Sequence, residues 1–275
     1  MESIVKKLHS PLSKKLISLS LLLYLMGGLL LYFFQESFIF RSQVLPPSHG
    51  FSSKLSHREI TVPVNTKDTL HAVLYRPDTK VAKGLVLYFH GNRKNIAWYE
   101  KFVPYFTERG YEVLMPDYPG YGKSKGMISE EKIYTWATLT YQIARKRYAA
   151  DSLIIYGKSL GTGIATQLAS RRDCKALILE TPYYRFSDVL QRLLPLYPMT
   201  LLLRYQLPTY QYLPKVAAPV TLLHGTSDGL VSFTQSQKLA RLFKPKDRLV
   251  VIEGGSHNDL YRYPKTIEWL SKVLP

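Results

Sequence analysis

Cysteine occurs once in this chain of 275 residues, at Cys174, so no internal disulfide and no cysteine-based zinc site can form. The lone thiol leaves the redox compartment open, because a chain without disulfides folds on either side of a membrane. Metal-finger spacings, an aromatic RNA-binding signature and runs of five or six basic residues are all missing, which argues against a nucleic-acid partner. Acidic residues are scarce too: Lys and Arg number 37 against 20 Asp and Glu, a formal charge of +17. Residues 1–35 hold Lys6, Lys7, Lys14 and Lys15 against Glu2, which leaves +14 on the remainder. A body this basic is drawn to anionic lipid headgroups or acidic substrates. Internal repeats and low-complexity tracts are absent, and 46% hydrophobic content at this length suits one large domain plus an appendage.

The appendage is marked by another absence, that of charge from Leu16 to Phe34, 19 residues reading LISLSLLLYLMGGLLLYFF. As a helix this run extends about 28 Å, enough to cross the hydrocarbon core of a bilayer. Four lysines precede it, whereas only Arg41 and Lys54 follow closely, so the positive-inside rule puts the N-terminus in the cytoplasm. The run is longer than a signal-peptide core and no A-x-A site follows, which favours an uncleaved, single-pass cell-membrane anchor over a cleaved leader. The expected division is a basic cytoplasmic tail over 1–15, a transmembrane signal anchor over 16–34, a connecting segment over 35–57, and a folded domain over 58–275 outside the cytoplasm. In the connecting segment, Phe38, Ile39 and Phe40 are expected at the membrane surface. The Gly27-Gly28 pair offers a place for helices to pack, but is weak evidence for dimerisation.

Within the domain, alternating runs at Glu59–Val64 and Leu70–Tyr75 suit an antiparallel pair at a sheet edge. Short continuous apolar runs follow at Leu85–Phe89, Tyr111–Met115, Leu153–Tyr156, Ala176–Leu179, Val220–Leu223 and Leu249–Ile252, mostly separated by helical spacing. Strands of this kind alternating with helices predict an α/β fold with a mainly parallel sheet covered on both faces. Residues 183–215, rich in Leu, Tyr and Pro, depart from the rhythm. They read equally well as a lid or acyl-chain wall over a site and as an excursion whose leucines complete the core.

The strand Leu153–Tyr156 runs into Gly157-Lys158-Ser159-Leu160-Gly161 and then a small-residue helix pattern. A serine between two glycines at a sharp strand-to-helix turn is a nucleophile elbow, which exposes its hydroxyl at the sheet edge. A serine hydroxyl needs a base to take its proton, and the base needs a carboxylate to hold its tautomer. The order expected with this elbow is serine, acid, histidine, each after a strand. Asp228 follows Val220–Leu223 within His224-Gly225-Thr226-Ser227-Asp228-Gly229, and His257 follows Leu249–Ile252 within Glu253-Gly254-Gly255-Ser256-His257. Asp228 also reads as a cap for a helix over 232–242, His224 is a rival base, and Asp259 and Asp188 are weaker candidates for the acid. Two backbone amides must also stabilise the oxyanion: Leu160 supplies one, and Asn92, in the loop His90-Gly91-Asn92 after Leu85–Phe89, supplies the other. Gly122-Lys123-Ser124 ends like a phosphate-binding loop, but Asp117 stands where its first glycine is required.

With His90-Gly91-Asn92, Asp117-Tyr118-Pro119-Gly120-Tyr121-Gly122-Lys123-Ser124, Gly157-Lys158-Ser159-Leu160-Gly161, His224 to Asp228 and Gly255-Ser256-His257 in order, the chain resembles the α/β-hydrolase fold superfamily over about residues 58–275. More closely it is similar to its membrane-anchored serine hydrolases, related to monoacylglycerol lipases, lysophospholipases and depalmitoylases, with serine aminopeptidases also among related chains. The resemblance implies a triad of Ser159, Asp228 and His257, an oxyanion hole of Asn92 and Leu160, and no metal or cofactor. It gives Lys158 no role. The expected activity is hydrolysis of carboxylic esters or thioesters of lipid-like acyl substrates through an acyl-serine. The alternatives are an aminopeptidase-like peptidase and a catalytically silent, membrane-bound binding scaffold.

Overall fold

The computed structural model describes residues 11–51 and 56–274, so most of the basic tail, including Lys6 and Lys7, and Lys54 lie outside the described residues. Eight strands build the main sheet: β1 His57–Pro63, β2 Thr69–Tyr75, β3 Gly84–Phe89, β4 Tyr111–Pro116, β5 Leu153–Lys158, β6 Ala176–Glu180, β7 Val220–Gly225 and β8 Arg248–Ile252. Their order is β8-β7-β6-β5-β3-β4-β2-β1. β2 pairs antiparallel with both β1 and β4, and every other pairing is parallel.

The apolar strands are continuous because both of their faces are covered. Leu85, Leu87 and Phe89 of β3 and Ile155 of β5 point into one core with Ile133, Ala137, Ile164 and Leu168. Val86, Tyr88, Ile154 and Tyr156 point the other way, onto Phe102, Phe106 and Leu270. The helices concerned are α2 Glu130–Arg145 and α3 Leu160–Ala169 on the first face, with α8 Pro264–Val273 on the second. Ser129 begins α2 by accepting the Lys132 amide, and Glu130 and Glu131 sit in its positive first turn.

Residues 183–215 carry three short helices, α4 Phe186–Leu193, α5 Met199–Leu202 and α6 Thr209–Tyr212, separated at prolines 195, 198 and 208. The side chains of this stretch divide between two environments. Phe186, Val189, Leu203, Leu207 and Leu213 join the core, whereas Leu193, Leu196 and Leu201 are exposed.

The N-terminal helix α1, written αN below, runs over Pro11–Ile39 and is long and apolar enough to cross a membrane. It does not end with the uncharged run at Phe34, as expected, but continues five residues further. Gln35 and Glu36 find partners across the molecule, so these polar residues extend the helix instead of stopping it. Nor do the residues after it behave as a simple connector. Ile39 and Phe40 are buried in the core, not at a surface, and Phe38 alone of the three is exposed. Arg41–Ser42 then pairs parallel with Arg93–Lys94, just beyond β3.

Candidate active site

Ser159 stands between β5 and α3 with φ 52° and ψ −118°, a left-handed conformation that a serine keeps only where its surroundings impose it. Its amide donates to the Glu180 carbonyl at 2.9 Å, and its carbonyl accepts from the Thr162 hydroxyl at 2.6 Å, so the turn is held from both sides. Gly161 permits this close fit: a Cβ there would lie 2.1 Å from the Phe89 carbonyl oxygen. The hydroxyl of Ser159 is thereby presented at the C-terminal edge of the sheet.

The structure brings His257 and Asp228 to that hydroxyl. His257 Nε2 lies 3.0 Å from Ser159 Oγ, and His257 Nδ1 lies 2.8 Å from Asp228 Oδ2. Since an ionised carboxylate only accepts, Nδ1 carries the proton and Nε2 is left with a lone pair for the serine O–H. The other oxygen of Asp228 accepts the amides of Leu230 and Val231 at 2.8 and 2.9 Å. Burial alone would raise the Asp228 pKa. Hydrogen bonds from His224 and His257, the His257 charge and the Val231 amide outweigh it and hold the carboxyl well below the usual carboxylate range.

The competing assignments separate on geometry. His224 turns Nε2–H to the Val231 carbonyl at 2.9 Å and to Asp228 Oδ2 at 3.3 Å, and its Nδ1 lies 2.6 Å from the Ser236 hydroxyl, so both its nitrogens are engaged away from Ser159. Asp228 caps no helix: the next one is α7, Thr234–Ala240, whose N-cap is Phe233. Asp259 accepts the Ser256 amide, and Asp188 faces Arg185 and Lys238.

A cleft of about 90 Å³ opens over Ser159. Asn92 and Leu160 line it beside the serine, Phe186, Val189 and Leu190 of α4 line it from residues 183–215, and Phe38 and Ile39 of αN reach it as well. The Asn92 loop is braced by contacts not legible in the sequence. Its side-chain amide donates to the Ile39 carbonyl at 2.8 Å, and its own carbonyl accepts from the Arg41 amide at 3.0 Å and the Tyr121 hydroxyl at 2.8 Å. Tyr118 donates to the His90 carbonyl at 2.6 Å. The segment from Asp117 to Ser124, which lacks the first glycine of a phosphate loop, therefore supports the loop that carries Asn92.

Sequence reasoning also missed Lys158. Its ammonium is buried, paired with Glu180, and donates to the His257 carbonyl at 3.2 Å. Glu180 accepts a further bond from Tyr156 at 2.6 Å, and Tyr156 meets Tyr261 at 2.8 Å. The parallel register that sets Lys158 opposite Glu180 creates the pair. The available signal was a charged residue closing each of two neighbouring apolar strands. Among the described residues, no group of three or more His, Cys, Asp or Glu is arranged to hold a metal ion.

Residues 80–213 match the family described as Serine aminopeptidase, S33, a stretch that contains Asn92 and Ser159 but stops short of Asp228 and His257. Alpha/beta hydrolase domain-containing protein 17C of Homo sapiens is 29% identical over 198 residues, covering 69% of this chain and 57% of that protein. The uncharacterized protein YfhR of Escherichia coli K12 is 28% identical over 182 residues, 64% of this chain and 63% of that one. The matched stretch thus spans about three-fifths of the length of these relatives. Among solved structures, the esterase Pf2001 of Pyrococcus furiosus superposes with a TM-score of 0.66 at 16% identity, over 86% of this chain and 96% of that one. A soluble variant of monoglyceride lipase from Saccharomyces cerevisiae does so with a TM-score of 0.60 at 16% identity, over 83% and 99%. Strand order, elbow and these likenesses agree on an α/β-hydrolase fold of the kind seen in esterases and lipases, and over about two thirds of its length the chain is similar in sequence to alpha/beta hydrolase domain-containing proteins.

Proposed function

We propose that this protein is a membrane-anchored serine hydrolase that cleaves carboxylic ester or thioester bonds of lipid-like acyl substrates. The observation that carries the reading is the continuous chain from Ser159 Oγ through His257 to Asp228, at 3.0 and 2.8 Å, beginning at a strained elbow. In this reading Ser159 attacks the acyl carbon and passes its proton to His257 Nε2. The amides of Leu160 and Asn92 receive the negative oxygen, and each such donor contributes on the order of 100-fold or more to turnover. The tetrahedral adduct collapses, His257 returns the proton to the departing alcohol or thiol, and the acyl group stays on Ser159. A water deprotonated by His257 then releases the acid. Asp228 holds the imidazole in its working tautomer and stabilises the imidazolium.

Ser159→Ala is expected to abolish covalent labelling by a fluorophosphonate and all turnover of p-nitrophenyl esters. Undiminished labelling of that variant would overturn the nucleophile assignment. The anchor reading rests on αN and on the lysines ahead of its uncharged run, which orient the N-terminus to the cytoplasm and the catalytic domain outside. The basic body then faces anionic headgroups, with Arg41 and Arg93 at the mouth of the cleft.

The match to serine aminopeptidases supports a second reading, a peptidase that captures a substrate amine. Such capture needs a carboxylate in the cleft, and the lining has none among the described residues, only Arg41 and Arg93 as charged groups. That favours neutral or anionic acyl substrates. A p-nitrophenyl series from acetyl to palmitoyl, set against aminoacyl anilides, separates the two: Ser159-dependent activity that rises with chain length supports the ester reading, and activity on anilides alone overturns it.

A further inference from the structure

A cleft of about 90 Å³ is too small to enclose a long acyl chain, since pockets that enclose drug-sized ligands measure roughly 300–1,000 Å³. The chain must leave the cleft, and the residues at its rim show where. Phe38 at the end of αN and Leu193 at the end of α4 line the cleft and are both exposed. Beyond Leu193 comes a run of eleven residues without charge, LLPLYPMTLLL over 193–203, bounded by Arg192 and Arg204. Leu196 and Leu201 in it are 79% and 80% exposed.

This run lies against αN. Tyr197 stacks on Tyr24 with ring centroids 4.8 Å apart, the Tyr24 hydroxyl donates to the Leu196 carbonyl at 2.9 Å, and Tyr197 donates to the Tyr24 carbonyl at 3.3 Å. Gly27 makes the space, for a Cβ there would stand 2.2 Å from the Tyr197 hydroxyl. The glycine pair thus receives a tyrosine of the same chain. Gln35 closes the upper end by donating to the Leu202 carbonyl at 3.3 Å and accepting the Arg204 amide at 2.8 Å, and Arg204 pairs with Glu36. Tyr24 sits near the middle of the uncharged run of αN, about 15 Å along the axis from Phe34.

Non-helical backbone at such a depth is tolerated only where its polar groups are satisfied by protein. Two of the residues are prolines, with no N–H to satisfy. The amides of Leu194, Tyr197, Leu201, Leu202 and Leu203 donate to backbone carbonyls, and that of Met199 donates to the Gln191 side chain. Gln191 also donates to the Pro195 carbonyl at 3.1 Å.

We infer that residues 193–203 form a re-entrant hairpin that dips beside αN to about the middle of the bilayer, so that the cleft opens sideways into the lipid. The occupant of the exposed face is hydrocarbon. An acyl substrate slides in between Phe38 and Leu193 with its carbonyl leading, and its tail stays in the membrane. Arg192 and Arg204 sit at the headgroup level, where long cationic side chains reach back to the interface. This inference rests on the membrane-anchor reading.

The test uses the full-length protein in phosphatidylcholine vesicles, with single cysteines placed in a Cys174→Ser background and coupled to an environment-sensitive fluorophore. Leu196→Cys and Leu201→Cys are expected to give blue-shifted labels quenched by nitroxide-bearing lipid chains, as is Leu22→Cys on αN. Val81→Cys, ahead of β3 at the far end of the strands from Ser159, is expected to stay in water. Quenching at Leu22 without quenching at Leu196 and Leu201 overturns the hairpin and leaves the anchor standing; no quenching at Leu22 overturns both. The paired change Leu196→Asp and Leu201→Asp removes no buried side chain. It is expected to lower turnover of a bilayer-borne long-chain ester about tenfold or more while sparing p-nitrophenyl acetate. Equal rates on both substrates relative to wild type would overturn lateral entry.

Discussion

Lys158 is a buried cation one residue before the strained serine, and its partner Glu180 carries the carbonyl that fixes the serine amide. One ion pair therefore touches both ends of the proposed proton path, the Ser159 turn through Glu180 and the His257 loop through Lys158. Removing one member of a buried pair typically costs about 3–5 kcal/mol, whereas replacing both with apolar groups is often neutral. Lys158→Met is expected to lower both stability and kcat, with KM little changed. Lys158→Met combined with Glu180→Leu is expected to recover the urea midpoint but not kcat. If the double variant regains full kcat, Lys158 is a fold-holding residue and not a positioning one. Asp228 adds a pH signature. Its carboxyl is lowered in the folded state, so the stability it contributes is complete above the unfolded value of about 3.9 and is lost as pH falls through the lower folded value. The advantage of wild type over Asp228→Asn in urea denaturation should then shrink as pH falls below about 4. Growth of that advantage on acidification would contradict the assignment. Ser159, Asp228 and His257 were legible because each follows the end of an apolar strand, and strand ends converge in a parallel sheet. Lys158 and Glu180 were not, because their pairing depends on the β5 to β6 register and no local pattern states it.

The elements of the sheet were legible from continuous apolar runs, which meet the observed strands to within a residue or two at each end. Residues 183–215 were ambiguous for a physical reason. Alternate leucines serve two solvents there, the core and the outside, and hydropathy alone does not tell a residue packed on protein from one packed on lipid. αN shows the same limit: its apolar run was plain, but its continuation to Ile39 depends on partners for Gln35 and Glu36 some 170 residues away. Gly27 carries a prediction at this scale. Gly27→Leu fills the slot of Tyr197 without touching the cleft. Hydrolysis of a water-soluble short ester should be retained and that of a bilayer-borne ester reduced. A matched fall in both would mean that the helix contact supports the fold at large.

At the scale of the whole molecule, the proposed anchor is continuous with the proposed active site. αN runs without a break to Ile39, whose carbonyl holds the Asn92 side chain, and Arg41 pairs beside the same loop. A flexible tether would have left the catalytic domain indifferent to what lies beneath it. Here the rod and the Asn92 loop share hydrogen bonds, and a helix that spans a bilayer tilts to match the hydrocarbon thickness of its host membrane. Tilting a rod of 29 residues by about 10° about its middle carries its end by about 4 Å. A misplacement of about 1 Å at reacting groups is enough to slow a reaction by about 100-fold. Turnover of a water-soluble ester, whose supply does not depend on the lipid, should therefore pass through an optimum as the acyl chains of the host vesicle are lengthened. A flat profile would show that the domain rides on its anchor without feeling it. With an optimum, the proposed hydrolase would be a gauge of the membrane that holds it, working at full rate only where the bilayer has the right span.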